Sequence, residues 1–213
     1  MAHEDRGRAM AASLVRTARS AGVDADGLSL LASAHALAME PRVARLEDDH
    51  HPHYLHPGRT ALILLRDAEI TDATLLAAGT LVESEVVDLR AESDVIRKRI
   101  GSALADTVGG VPLPKACAAG ASGEERGLVE VLVTAERGVL LVALAERLDQ
   151  YRHAHLWATE SRAKELLVEG AEVYGPVCER SHPRLAARMR HWERTFRRRL
   201  ERGWVNSAVS DVS

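Results

Sequence analysis

Aromatic residues are scarce in this sequence. They make up 3% of the 213 residues, whereas hydrophobic residues as a whole make up 46%. Alanine, leucine and valine must therefore build the interior, and this composition favours close-packed helices over a β-sandwich. A chain of this length can bury a sizeable core within one domain. We predict an all-α protein.

Cysteine and long apolar runs are scarce as well. Cys117 and Cys178 are the two cysteines of the sequence, and widely spaced thiols indicate a reducing compartment rather than a disulfide framework. No segment approaches the ~20 apolar residues that cross a bilayer, and the first residues lack the apolar run of a signal peptide. We therefore expect a cytoplasmic protein without a membrane partner.

A large excess of charge of one sign is also missing. The formal net charge is -3, so nucleic acid is not an expected partner. The segment from Pro183 to Gly203 is nevertheless rich in arginine around an apolar stripe at helical spacing. It could be a solvated helix that pairs with acidic neighbours or a surface for an anionic partner, and we expect the solvated helix. The stripe consists of Leu185, Met189, Trp192, Phe196 and Leu200.

Glycine, proline and capping residues divide the chain into helical segments. Proline, glycine, alanine and serine cluster at residues 112–123, which predicts a loop long enough to act as a flap. We expect one helical domain over residues 1–203, followed by a tail at residues 204–213. Helices are predicted at residues 8–20, 27–39, 94–108 and 154–173, with one or two helices at 124–150 and a final helix from residue 183. Pro41 marks the end of the second helix or a kink in it.

The stretch from Tyr54 to Asp88 organises the rest of the chain. It reads as two strongly apolar helices joined by a polar turn at residues 67–72, with Thr71 or Asp72 as the N-cap of the second helix. Helices that are apolar on more than one side lie in the middle of a bundle. His56 precedes the first of these helices, beside a proline, at the point where the chain enters the core.

These motifs resemble a known family. The His56-Pro57 pair before an apolar helix, the Ile-Thr-Asp turn at residues 70–72 and the Thr-Leu-Leu-Ala-Ala segment at residues 74–78 are similar to the metal-dependent HD-domain hydrolases of guanosine tetraphosphate. This family comprises the hydrolase domains of RelA/SpoT homologues and small stand-alone enzymes. The resemblance covers residues 29–199 and implies an HD-domain-type helical bundle.

The resemblance also implies a metal site, and most of its ligands are replaced here. In the family, a divalent metal that activates water is held by the His of His-Pro, an adjacent His-Asp pair and the Asp of an Ala-Asp-Arg motif. His56 is retained, Glu146 stands for the last Asp, and Leu81 and Val82 stand for the His-Asp pair. Aliphatic side chains cannot coordinate a cation. We predict that the family's metal site is absent and that Leu81 and Val82 fill the core.

A relocated metal site is an open alternative. Glu83, Glu85 and Glu146 could combine with His56 and a histidine of the run at residues 50–53, and such ligands suit Mn, Fe or Zn. The competing interpretation is that residues 47–53 form a solvated loop, which is the usual position of adjacent histidines in a polar segment.

Two functional hypotheses follow. The first is a phosphohydrolase-like pseudoenzyme that binds a small anionic or nucleotide ligand, or a protein partner, through the cleft that holds the active site in the family. The protein could also form a homodimer. The second is an enzyme with altered chemistry that uses His56, Glu85 and Glu146 as acid–base or metal groups. The residues predicted to contact a ligand are His53, Arg147 and Gln150.

Overall fold

The computed structural model describes residues 3–114 and 122–204, and these ranges contain helices and no β-strand. The predicted all-α class is therefore confirmed. The helices in chain order are α1 (His3–Ser20), α2 (Ala25–Arg45), α3 (His56–Arg66), α4 (Ala73–Leu81), α5 (Ser93–Arg99), α6 (Ser102–Gly109), α7 (Ser122–Thr134), α8 (Arg137–Trp157), α9 (Glu160–Glu169), α10 (Gly175–Ser181) and α11 (Pro183–Glu201). A 3-10 turn at Val87–Leu89 and a π-helical turn at Gly170–Tyr174 complete the described secondary structure.

Helices α3 and α4 lie at the centre of the bundle, as their composition predicts. The two helices pack against each other, and both contact α8, while α2 packs along α4. Residues 76–81 of α4 are all buried, whereas residues 73–75 in its first turn are partly exposed. The packing of this central pair therefore determines the positions of the residues at the start of α3 and after the end of α4.

Two helix starts were predicted correctly from local sequence features. The side chain of Asp72 accepts a hydrogen bond of 3.0 Å from the backbone N–H of Leu75 and so caps α4. Pro183 occupies the first turn of α11, where its missing N–H costs nothing. These two starts agree with the sequence-based expectation.

Other predicted helix boundaries were wrong. The helix predicted at 27–39 runs on through Pro41 to Arg45, and the buried guanidinium of Arg42 supports this extra turn by donating to the Ala38 carbonyl at 2.8 Å. The helix predicted at 94–108 is divided at Gly101, whose φ of 146° only glycine adopts readily.

The predicted start of a helix at Ala154 was also wrong, because α8 continues to Trp157. The next helix, α9, begins at Glu160, and the Thr159 side chain caps it by accepting from the Arg162 N–H at 3.2 Å. The break between α8 and α9 therefore lies a few residues later than the sequence pattern indicated.

The arginines of α11 surround a buried stripe. Leu185, Met189, Trp192 and Phe196 are buried, whereas Arg188 and Arg190 are exposed and form ion pairs with Asp67 and Glu179, both at 3.1 Å. This arrangement agrees with the expected solvated helix that pairs with acidic neighbours.

Two predicted segments reach beyond the described residues. Residues 115–121 of the predicted loop at 112–123 lie outside them, so the flap stays a prediction. Trp204, assigned from the sequence to the tail, packs edge-on against Phe196 and donates from its indole N–H to the Ala158 carbonyl at 3.1 Å; residues 205–213 lie outside the described ranges. None of the described helices is long and apolar enough to cross a membrane.

Candidate functional site

Three segments bring polar side chains to one place in the core. His56 is the first residue of α3, Glu83 and Ser84 follow the end of α4, and the remaining groups come from α8. Residues three and four apart on a helix share a face, which is why α8 presents several polar groups to the same point. Those residues of α8 are Glu146, Asp149 and Gln150.

His56 is completely buried and is held from one side only. Its Nδ1 lies 2.8 Å from Oδ2 of Asp149, while its Nε2 has no hydrogen-bond partner and lies 3.8 Å from Oε1 of Glu146. Burial disfavours the imidazolium, but the charge of Glu83 and the bond to Asp149 outweigh it and raise the pKa of His56. One ring nitrogen is thus fixed and the other faces carboxylates.

Glu146 is also held at one atom. Its Oε1 accepts hydrogen bonds from the Ser84 N–H at 3.1 Å and from the Ser84 hydroxyl at 2.6 Å, whereas its Oε2 is buried without a partner. Burial raises the pKa of Glu146, although the nearby charges of Arg147 and His56 act in the opposite direction. Oε2 of Glu146 and Nε2 of His56 are therefore the two atoms of this pair that have no hydrogen-bond partner.

Glu83 has partners on both oxygens. Its Oε2 lies 2.7 Å from Nη2 of Arg42, and its Oε1 accepts from the Gln150 amide at 2.8 Å and from the Glu85 backbone N–H at 3.1 Å. Burial alone would raise the pKa of Glu83, but the charges of His56 and Arg42 outweigh it and lower the pKa. Glu83 is therefore an anion inside the core.

Asp149 orients the ring of His56. The Nε of Arg59 donates to both oxygens of Asp149, at 2.9 and 3.1 Å, and Nδ1 of His153 lies 3.3 Å away. Burial acts to raise the pKa of Asp149, but Arg59 and the hydrogen bonds from His153 and His56 hold it well below its usual range. An anionic carboxylate can only accept a hydrogen bond, so Nδ1 of His56 carries a proton, and Nε2 is the ring nitrogen that faces Glu146.

Arg147 organises a second network beside the first. It is buried and donates to Glu85 at 2.7 Å, to Glu169 at 2.6 Å and to the Ser84 hydroxyl at 2.7 Å. Arg162 also donates to Glu85, at 2.9 Å. Two arginines therefore hold the Glu85 carboxylate in this second network rather than at His56.

Leu81 and Val82 are 3% and 2% exposed and belong to the apolar core, which confirms their predicted role as core residues. The ligand set that the HD-family resemblance implies is therefore not available at these positions. The next residue along the chain, Glu83, enters the cluster instead, because the backbone turns from helical to extended at Val82.

His56, Glu83 and Glu146 have the spacing of cation ligands. Each offers one nitrogen or oxygen atom, and these atoms lie within 4.8 Å of one another. One imidazole and two carboxylates suit Mn, Fe or Zn. All three side chains are buried, at 0%, 1% and 0% exposure respectively. The residues fit an enclosed cation rather than a metal with a position open to substrate.

The predicted site residues divide between the two networks. His56 and Glu146 lie together, and Gln150 donates to Glu83 beside them. Arg147 reaches the pair through Ser84, while Glu85 points to the second network. The loop before α3 is mixed, because His50 is exposed whereas Asp49 and His53 are buried; Nδ1 of His53 lies 3.9 Å from Glu83.

Sequence reasoning missed Arg42, Arg59 and Asp149. The position of Asp149 could have been predicted, because it follows Glu146 by three residues in a helical segment and therefore lies on the same helix face. The two arginines come from α2 and α3, and no local pattern in the sequence relates them to the carboxylates they bind.

No protein-family model matches this chain, and no curated protein sequence matches it significantly. The likeness to HD-domain hydrolases accordingly depends on the short motifs around His56 and Glu146.

Proposed function

We propose that this protein is a degenerate HD-domain-like bundle, similar to guanosine tetraphosphate hydrolases, that binds a ligand or partner without metal-dependent phosphohydrolase activity. The observation that carries the proposal is the burial of Leu81 and Val82 in the apolar core. These residues stand where the family has its His-Asp metal ligands, and their side chains have no atom that can coordinate a cation.

The closed cluster supports the same proposal. Hydrolysis by a metal-bound water needs a coordination position that substrate and water can reach. His56 and Glu146 are fully buried, and Glu83 is almost so. In this arrangement a phosphoester does not reach the donor atoms.

Charge compensation by arginine is a further argument. Arg42 pairs with Glu83, Arg59 pairs with Asp149, and Arg147 neutralises the adjacent network. In a metallohydrolase the cation carries much of this positive charge. Here guanidinium groups provide the positive charge for most of the carboxylates.

The ligand we propose is a small anion or a nucleotide. Arg59 and Arg162 lie at the edges of the two networks, and both side chains are partly exposed. Guanidinium groups bind phosphate oxygens through paired hydrogen bonds. An anionic ligand would contact these two arginines at the surface of the bundle rather than the enclosed cluster.

An assay of guanosine tetraphosphate with added manganese tests the proposal. We expect pyrophosphate release no faster than in a buffer control, and measurable binding of the nucleotide by calorimetry that weakens in Arg59→Met and Arg162→Met. Robust pyrophosphate release that disappears in His56→Ala would overturn the proposal and favour an enzyme that uses His56, Glu85 and Glu146.

A further inference from the structure

We infer that His56, Glu83 and Glu146 form an enclosed structural site for one divalent transition-metal ion. One ring nitrogen of the histidine and one oxygen of each glutamate lie within 4.8 Å of one another. The three residues come from α3, the segment after α4, and α8. An ion at this point would connect three parts of the bundle, and this role does not depend on hydrolysis or on a surface ligand.

Two unsatisfied atoms point to the ion. Nε2 of His56 and Oε2 of Glu146 are completely buried, and neither has a hydrogen-bond partner. Buried polar atoms in native proteins are nearly always paired, and two unpaired atoms on neighbouring side chains are what an ion-binding site would show without its ion. Nε2 of His56 lies 3.8 Å from the other oxygen of the same carboxylate, Oε1 of Glu146, so a cation between the two side chains can contact both of them.

The surrounding groups hold the donors in a suitable orientation. Asp149 accepts from Nδ1 of His56 at 2.8 Å, and a carboxylate on one ring nitrogen is the usual support for a histidine that binds metal through the other. Arg42 binds Oε2 of Glu83, while Oε1 of Glu83 and Oε1 of Glu146 both accept from the Gln150 amide, at 2.8 and 3.3 Å, which holds the two carboxylates side by side.

Charge favours a cation beside Glu146. Arg42 pairs with Glu83 and Arg59 pairs with Asp149, whereas no arginine in residues 3–114 and 122–204 forms a salt bridge with Glu146. The partner of Glu146 within ion-pair distance among these residues is His56, whose Nε2 lies 3.8 Å from Oε1. A mixed nitrogen and oxygen donor set favours Mn, Fe or Zn over Ca or Mg.

Metal content and thermal stability test this inference. The untagged full chain is purified without added metal, stripped with a chelator, and then titrated separately with Mn²⁺, Fe²⁺ and Zn²⁺. We expect one ion per chain by elemental analysis and a rise in Tm with ion concentration, because an ion that binds the folded state stabilises it. The protein loaded with Co²⁺ should show a visible absorption spectrum typical of cobalt that is bound by a histidine nitrogen.

Matched variants locate the ion. Glu146→Gln and His56→Gln should lose the bound ion and the Tm shift, whereas Glu169→Gln, a change at a carboxylate in the Arg147 network, should retain both. If a variant fails to fold, the unaltered protein is loaded with Mn²⁺ and tested by magnetic resonance for coupling between the ion and a histidine nitrogen. Absence of this coupling would contradict the inference.

The possible outcomes separate this inference from the proposed function. Failure of all three ions to bind stoichiometrically would overturn the metal site, because the pair would then hold a proton or a water molecule. Unchanged binding in Glu146→Gln would overturn it too. Hydrolysis by an ion-loaded protein would instead contradict the proposed lack of phosphohydrolase activity and leave the site intact.

Discussion

His56 and Asp149 are joined across the core by a contact of 2.8 Å between Nδ1 and Oδ2. Both side chains are buried, and the contact ties the first turn of α3 to the middle of α8. The low pKa of Asp149, maintained against burial by Arg59 and by its histidine partners, keeps this carboxylate charged. The bond is therefore charge-assisted on at least one side.

We predict that His56→Ala lowers the free energy of unfolding by about 1–3 kcal/mol, because Asp149 loses a buried partner. Chemical denaturation in the presence of a chelator measures this loss without a contribution from metal. His153→Ala is the control, since His153 contacts the same carboxylate but is partly exposed, and its effect should be smaller. Equal stability of His56→Ala and the parent would assign the histidine to ligand binding instead.

Restoring the family's pair with Leu81→His and Val82→Asp should destabilise the metal-free protein by several kcal/mol. The two positions are 3% and 2% exposed, and burial of a histidine and an unpaired carboxylate is costly unless a cation accompanies them. Leu81→Met is the control, because a swap that conserves volume costs less than about 1.5 kcal/mol. An unchanged Tm for the double variant would contradict the core position of these residues.

Arg42→Met should cost about 3–5 kcal/mol, because it leaves the Glu83 carboxylate buried without its guanidinium partner. The comparison is Arg99→Met, which breaks a pair with Glu40 whose side chains are 48% and 52% exposed. Exposed pairs contribute about 0–1 kcal/mol. Urea titration of both variants measures the difference, and similar losses would mean that Glu83 is neutral in the folded protein.

His35 should make the protein less stable in mild acid. Burial, assisted by the charge of Arg42, lowers the pKa of His35 to about 4, whereas the unfolded chain has the ordinary value of about 6.5. Below pH 6.5 the unfolded state binds a proton that the folded state does not, so stability falls as pH decreases toward 4, by about 3 kcal/mol in total.

The pH dependence of unfolding checks this linkage. His35→Gln should lose less stability than the parent between pH 7 and pH 4, whatever its stability at pH 7. Parallel curves for the two proteins would show that His35 has the same pKa in the folded and the unfolded state, which would contradict this prediction.

The sequence by itself determined the local features of this protein. The apolar residues on more than one side of α3 and α4 placed these helices in the core, Asp72 and Pro183 marked helix starts, and the buried stripe of α11 followed from its spacing. These features depend on residues within a few positions of each other, where backbone geometry fixes which side chains share a face. The burial of Leu81 and Val82 followed in the same way.

Only the tertiary structure decided which carboxylates meet at His56. From the sequence we assigned Glu85 to the site with His56, yet the extended backbone after α4 directs Glu83 to Arg42 and the cluster and directs Glu85 to Arg147. Arginines contributed by other helices select between them, because a buried carboxylate is stable where a guanidinium can reach it. Contacts of this kind join residues far apart in the chain and depend on how whole helices pack.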